Sequence, residues 1–304
     1  MILSGYTKSK KMRTLYRFHF TGIIFLLMTL ISPLSAQAML GLEVMMQKSL
    51  WRVDQLSTQE SIQQTGSYLY LPLGGFAYIE GAQEQLELSY KDILPSLTQG
   101  DRSAVFNLLL GPMMLSAGAH QVESTNLEVD GGKTTAYQFS LPEIFHVSIG
   151  YGSFETKFPN FALFDQLDQT GLVIKQQSPE LGISFFDGSF GLRSKQSNIE
   201  LSDTIGREQT KYTSVQGTAT LWIQPFYLSY SQWTGERLFF ADNKALYLNS
   251  LNQVYQGGNQ ASVTWMPLIW LDMAFNRSND LFVESGLTEP LKSQTDTLSM
   301  TLRF

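Results

Sequence analysis

The sequence predicts an all-β protein: a transmembrane, antiparallel, up-and-down β-barrel of 14 strands, with 12 as the alternative count. Three observations carry the prediction. The last ten residues alternate, with Leu298, Met300, Leu302 and Phe304 in one phase and Thr297, Ser299, Thr301 and Arg303 in the other. A period of two puts these sets on opposite faces of one strand, one suited to lipid and the other to water. Beyond residue 38 no run approaches the roughly 18 consecutive apolar residues of a membrane helix. Tight-turn signals recur at fairly even spacing between strand-like stretches, as they do where hairpins follow one another.

The amino terminus reads as a secretory leader. Lys8, Lys10, Lys11, Arg13 and Arg17 precede an apolar run from Ile23 to Ile31, and Ala36-Gln37-Ala38 completes the pattern of a cleavage site. The apolar run is short of the roughly 20 residues that span a bilayer. We therefore expect residues 1–38 to be removed and residues 39–304 to form a single barrel domain; Met12 also begins a shorter leader. Removal leaves 16 basic against 27 acidic residues, a formal charge of −11. That balance argues against a nucleic-acid surface, which needs clustered Lys and Arg. The chain has no cysteine, which excludes disulfides, thiolate chemistry and a lipid-modified amino-terminal Cys.

Turns are expected at Leu73-Gly74-Gly75, Gly111-Pro112, Leu141-Pro142, Asp187-Gly188, Gln224-Pro225 and Met266-Pro267. Longer polar stretches lie between them, at 54–65, 92–102, 123–133, 157–170, 201–210, 236–257 and 279–293. Six turns and seven long loops give 14 strands with both termini on the turn side. Three strands declare their faces. Phe145, Val147, Ile149 and Tyr151 alternate with His146, Ser148, Gly150 and Gly152; Val215 to Ile223 opposes Gln216, Thr218, Thr220 and Trp222; Ile269, Leu271, Met273 and Phe275 alternate with Trp270, Asp272, Ala274 and Asn276. Trp51, Tyr90, Trp222, Phe226, Tyr227, Trp233, Trp265 and Trp270 fall near strand ends and read as interfacial anchors.

The closing strand resembles that of bacterial outer-membrane β-barrels of the porin-like class. In them a terminal Phe with apolar residues at alternating positions is the assembly signal, here Leu298, Met300, Leu302 and Phe304. The resemblance implies integral residence in the outer membrane, against its lipids and lipopolysaccharide, and delivery by periplasmic chaperones and the barrel-assembly machinery. No cofactor is expected, and no metal, since the chain has no cysteine and its paired acids lack metal-ligand spacing. A soluble β-sandwich is the rival fold, but it does not account for the leader and the terminal Phe together.

One spacing invites chemistry. His146-Val147-Ser148 puts an imidazole and a hydroxyl on one strand face. Outer-membrane phospholipase A and lipid A deacylase carry a similar His-x-Ser, but they usually follow it with Asn where this chain has Ile149, and their pair faces lipid. His120 reads as a rim residue; Asp101 beside Arg102, and Asp165 with Asp168, read as solvated loop acids. The glycine pairs lack the strand, Lys and helix of a phosphate loop.

The leading expectation is a channel for diffusion of small solutes, cation-preferring by its acidity and lined by His146, Gln216, Asp272, Asn276 and Arg303. The alternatives are a lipid-modifying hydrolase using His146 and Ser148, and a non-conducting component of an envelope or export complex. The stretch 236–257 holds Leu238-Phe239-Phe240 and Ala245-Leu246-Tyr247-Leu248, too apolar for a solvated loop. It is expected to fold inward as a constriction or to extend the strands. Trp51 to Gly66 is expected to be external or a partial plug.

Overall fold

The computed structural model describes residues 41–53, 57–91, 96–144, 146–163, 170–248, 253–283 and 289–304. The leader, Phe145, Asp165 and Asp168 lie outside the described residues. The wall consists of β1 (Glu43–Val53), β2 (Gln59–Pro72), β3 (Ala77–Tyr90), β4 (Leu97–Leu110), β5 (Met113–Ser124), β6 (Lys133–Ile144), β7 (Val147–Ala162) and β8 (Thr170–Phe185). It continues through β9 (Phe190–Leu201), β10 (Lys211–Ile223) and β11 (Phe226–Arg237). After an inserted β12 (Ala241–Asp242), a 3-10 turn at Asn243–Ala245 and β13 (Tyr247–Leu248), it closes with β14 (Val254–Leu268), β15 (Leu271–Val283) and β16 (Leu291–Arg303).

Fourteen of these strands pair antiparallel, each with its neighbours, and β16 pairs with β1 from Glu43↔Arg303 to Val53↔Ser293. Closure leaves no strand edge in the wall, which separates this fold from a sandwich. The preferred count of 14 is the observed one. Connections alternate between short turns at one end and longer segments at the other.

Strands of 11 to 16 residues meet or exceed the about 9 to 11 that cross a bilayer, and the longer ones extend past the membrane at the loop end. The outward rows show where the crossing stops. At the turn end they present exposed Phe106, Tyr151, Leu181, Tyr230, Phe275 and Leu298. Farther along come Gln83, Arg102, Glu155, Lys157 and the cluster of Arg52, Arg277 and Asp296. Most of 59–65, 97–102 and 157–162, expected in loops, is therefore wall. These stretches are polar because one face meets water outside the membrane and the other meets the lumen. Trp51 to Gly66 is likewise divided between β1, its connection and β2, and the part described in strands belongs to the wall.

Two turns lie elsewhere than the sequence suggests. Leu141-Pro142 and Met266-Pro267 fall inside β6 and β14, and the pairing shifts register at each, between Leu141 and Ile144 and between Trp265 and Leu268. Proline lacks the N–H a ladder needs and is tolerated at such irregularities, so here it marks a bulge just before the turn. The turns follow at His146 and at 269–270. The other four are at or beside the expected dipeptides, with left-handed Gly74, Gly111 and Gly188, and a cis Gln224-Pro225 bond.

Apolar side chains line the inside of the barrel at the loop end. The largest cluster joins wall residues Val122, Phe154, Phe158, Ile174, Ile199 and Tyr212 to Leu238, Phe239, Phe240, Ala245 and Leu248 of the segment between β11 and β14. That segment folds into the lumen. Each of its large apolar side chains contributes about 1.5–3 kcal/mol when fully buried, and Phe239 packs against Phe158 and Phe161 at ring separations of 5.3 and 5.9 Å. Smaller clusters form around Ile62, Leu86, Leu88 and Leu97, and around Tyr255, Phe282 and Leu291.

Candidate functional site

The inward loop begins where the pairing of β11 with β14 shifts register between Thr234 and Arg237. Gly235 supplies the left-handed φ of +97° there, and a side chain would overlap the Thr213 carbonyl. Arg237 stacks between Trp233 and Phe240, 4.2 and 4.4 Å from their centroids, and donates from Nε to Ser214 Oγ at 2.8 Å and from Nη2 to Gln216 Oε1 at 3.1 Å. Burial pulls its pKa down to about 10, which still leaves it charged at neutral pH. The loop thus leaves the wall on a guanidinium with two aromatic faces.

Beyond Arg237 the loop is held to the wall at four places. Gln176 donates from Nε2 to the Ala241 carbonyl at 2.7 Å and accepts the Ala241 N–H at 2.9 Å. Lys195 pairs with Asp242. Burial pushes the Asp242 carboxyl up, but Lys195, the Asn243 N–H and Arg237 outweigh it and hold the pKa below its ordinary value. Lys244 donates to Glu80 Oε2 at 2.9 Å and Tyr78 OH at 3.1 Å. His120 bridges the Ala245 carbonyl, 3.1 Å from Nδ1, and Asp101 Oδ1, 2.9 Å from Nε2.

Asn243, Lys244 and Ala245 all have left-handed φ, at 47°, 60° and 71°. For non-glycine residues this costs about 1–2 kcal/mol each, which the burial and the four attachments offset. Gly118 makes the approach possible, since a Cβ there would overlap the Lys244 carbonyl oxygen.

His120 and Asp101 correct the sequence reading. They are 3% and 6% exposed, neither at a rim nor solvated. Asp101 lies in β4 and not in a loop. Both occupy the inward phase of their strands, in register with Val105 and Val122, and that phase was the signal to find them.

The loop fills one side of the lumen and leaves a cavity on the other. Between its inner face and the β14–β15–β16–β1–β2 wall lies a cavity of about 330 Å³. The wall side is a ladder of neutral polar groups. Asn276, Thr297, Ser49 and Gln64 form one row, with Ser49 and Thr297 hydroxyls 2.8 Å apart; Gln260, Ser278, Thr295 and Trp51 form the next. The loop side presents Phe240, Asp242, Asn243 and Tyr247.

Acids sit at the ends of the ladder. Glu84 accepts from Tyr68 and from Gln64 Nε2 at 2.6 Å, and burial outweighs these donors to raise its pKa. Asp280 accepts from Trp233 and Ser278, yet burial pushes it up to about 6. Gly258 stands between Trp233 and Asp280 in the register, and any side chain there would block their bond. All these groups lie loopward of the outward apolar band.

Of the sequence-derived lumen residues, Gln216 and Asn276 line this cavity. Asp272 and Arg303 lie at the turn end, where Arg303 donates to Asp272 Oδ1 at 2.8 Å and Glu43 Oε1 at 3.0 Å. His146 is exposed in the turn before β7 with φ 66°, so it does not share a strand face with Ser148. Ser148 is on the inner face of β7, where its Oγ occupies the space a Cβ on Gly182 would need. Trp51 and Trp233, expected as interfacial anchors, line the cavity instead. Among the described residues no cluster of His, Cys, Asp and Glu has the arrangement of a metal site.

The wall defines the class: a 14-stranded transmembrane β-barrel with a loop folded into its lumen. Known structures place it further, since the fold is that of bacterial outer-membrane β-barrels. A FadL homologue from Pseudomonas aeruginosa is similar over 87% of this chain and 90% of its own, at 8% identity and a TM-score of 0.53. A bacterial polysaccharide outer membrane secretin is similar over 88% and 99%, at 9% identity and a TM-score of 0.52. OmpT of Vibrio cholerae follows at 0.47, with 6% identity over 87% and 97%. No protein-family model and no curated protein matches the chain in sequence.

Proposed function

We propose that the protein is an outer-membrane channel for small polar solutes, its path displaced to one side by the inward loop and preferring cations. The observation that carries this reading is the cavity between the loop and the β14–β15–β16–β1–β2 wall, lined by amides, hydroxyls and aromatic rings. A structural barrel has no need to keep such a space polar. Glu84, Asp242 and Asp280 line the cavity with one cation, Arg237; with Asp242 paired to Lys195, two carboxylates remain against Arg237, which supports a cation preference. In this reading the outward rows contact membrane lipid and lipopolysaccharide, and Leu298, Met300, Leu302 and Phe304 address the closing strand to the assembly machinery.

The test is single-channel conductance of the refolded protein in planar bilayers, beside a variant in which residues 238–254 are replaced by a two-residue turn. Arg237 and Tyr255 are register partners, so a tight turn rejoins β11 and β14. The expected outcome is a small, steady, cation-selective conductance that increases several-fold in the variant. Silence from both proteins overturns the channel.

A further inference from the structure

The geometry points to a binding site for a neutral, polyhydroxylated solute of saccharide type, held between the polar ladder of β15, β16 and β1 and the aromatic face of the inward loop. This inference rests on the channel reading and names what the constriction recognises.

The two walls differ in kind. One is a two-row lattice of hydroxyl and amide groups, spaced as neighbouring strands space them, about 4.7–4.9 Å apart. The other offers the ring of Tyr247 and, beside it, the edge of Phe240, whose face is taken by Arg237. A pyranose has the same division, with hydroxyl groups around its edge and C–H groups on its faces. Its hydroxyls both donate and accept, which the lattice requires. Trp51 Nε1 is a donor and Asn276 Oδ1 an acceptor, and neither has a hydrogen-bond partner among the described residues. A buried unpartnered donor or acceptor is costly, and a ligand hydroxyl relieves either one after a small side-chain adjustment.

The charges argue against an ionic ligand. Asp280 and Glu84 are each already engaged by two donors, and Asp242 is paired with Lys195. Arg237 lines the same cavity, but its donors are directed to Ser214 and Gln216 and away from an anion. What remains unengaged is neutral.

The inference is tested by titrating maltose, glucose, galacturonate and spermidine against the refolded full barrel. Binding is read by calorimetry in detergent, and block of ion current is read separately in bilayers. Trp51→Phe, which keeps an aromatic ring but removes the indole N–H, and Asn276→Ala are compared after heat-modifiability on gels has shown that each has folded. A neutral sugar is expected to bind and to reduce ion current, with galacturonate and spermidine weaker, and each variant is expected to lose about tenfold in affinity, the worth of one hydrogen bond near the upper end of the usual range.

Absence of sugar binding by a folded, conducting barrel overturns the site and leaves the channel standing. Sugar binding by a silent barrel supports the site and removes the channel. Tighter binding of spermidine or galacturonate than of either sugar overturns the assignment to neutral solutes. Unchanged affinity in both variants overturns the role of the ladder.

Discussion

Gly118 and Asp280 are small features on which larger ones depend. The loop carbonyl of Lys244 occupies the space a side chain at Gly118 would need, so Gly118→Val should unseat the inward loop while leaving β5 in its ladder. The expected result is a larger and noisier single-channel current with the far-ultraviolet circular dichroism of the wall unchanged. Asp280 is raised by burial from an ordinary 3.8 to about 6. It is ionised at pH 7.5 and largely protonated at pH 5, so reversal potentials should move toward zero as pH falls between those values. Asp280→Asn should remove the step near pH 6. The stability sign is opposite to that of a salt-bridged acid. The folded state binds the proton more tightly than the unfolded chain, so this group's contribution falls as pH rises from about 4 to about 6.

At the scale of elements, the alternation of β7, β10, β15 and β16 was legible because their outer faces meet lipid at the turn end. Above the membrane that contrast disappears. In β7 the outward Glu155 and Lys157 alternate with Phe154 and Phe158, which face inward to a core built by the loop. The hydrophobic phase therefore inverts along one strand, and a reader expecting lipid outside takes such stretches for loops. Leu238-Phe239-Phe240 announced an inward segment by being too apolar for water, but its attachments are single polar residues scattered over β3, β4, β5, β8 and β9. Only pairing register brings these together. His120 is the attachment most open to test. His120→Ala leaves the buried Asp101 with the Gln99 amide and takes the imidazole from the Ala245 carbonyl. Leaving a buried hydrogen-bonding group without its partner costs about 1–3 kcal/mol, toward the lower end here because Asp101 retains a donor. The variant should melt at lower temperature and flicker between conductance levels. A single steady level equal to that of the parent would show that His120 does not hold the loop.

For the whole molecule, stability depends on closure, since an open barrel exposes two strand edges in a place where no water satisfies them. The β1–β16 ladder closes the ring, and Arg303 ties three adjacent strands at its turn end by reaching Asp272 on β15 and Glu43 on β1. Asp272 is 7% exposed and depends on that guanidinium, whereas Glu43 is part-exposed and does not. Removing Arg303 alone should therefore harm the barrel more than removing both partners. Arg303→Ala is expected to lose about 1–3 kcal/mol, the cost of a buried polar group left unsatisfied, and the Asp272→Ala, Arg303→Ala double variant to recover most of it. The measurement is the urea midpoint of unfolding in detergent or bilayers for the parent, both single variants and the double. A double variant no more stable than Arg303→Ala would mean that the guanidinium acts through Glu43 and the β1–β16 closure itself. The effect would then grow in variants that shorten that ladder, which a desolvated Asp272 does not predict.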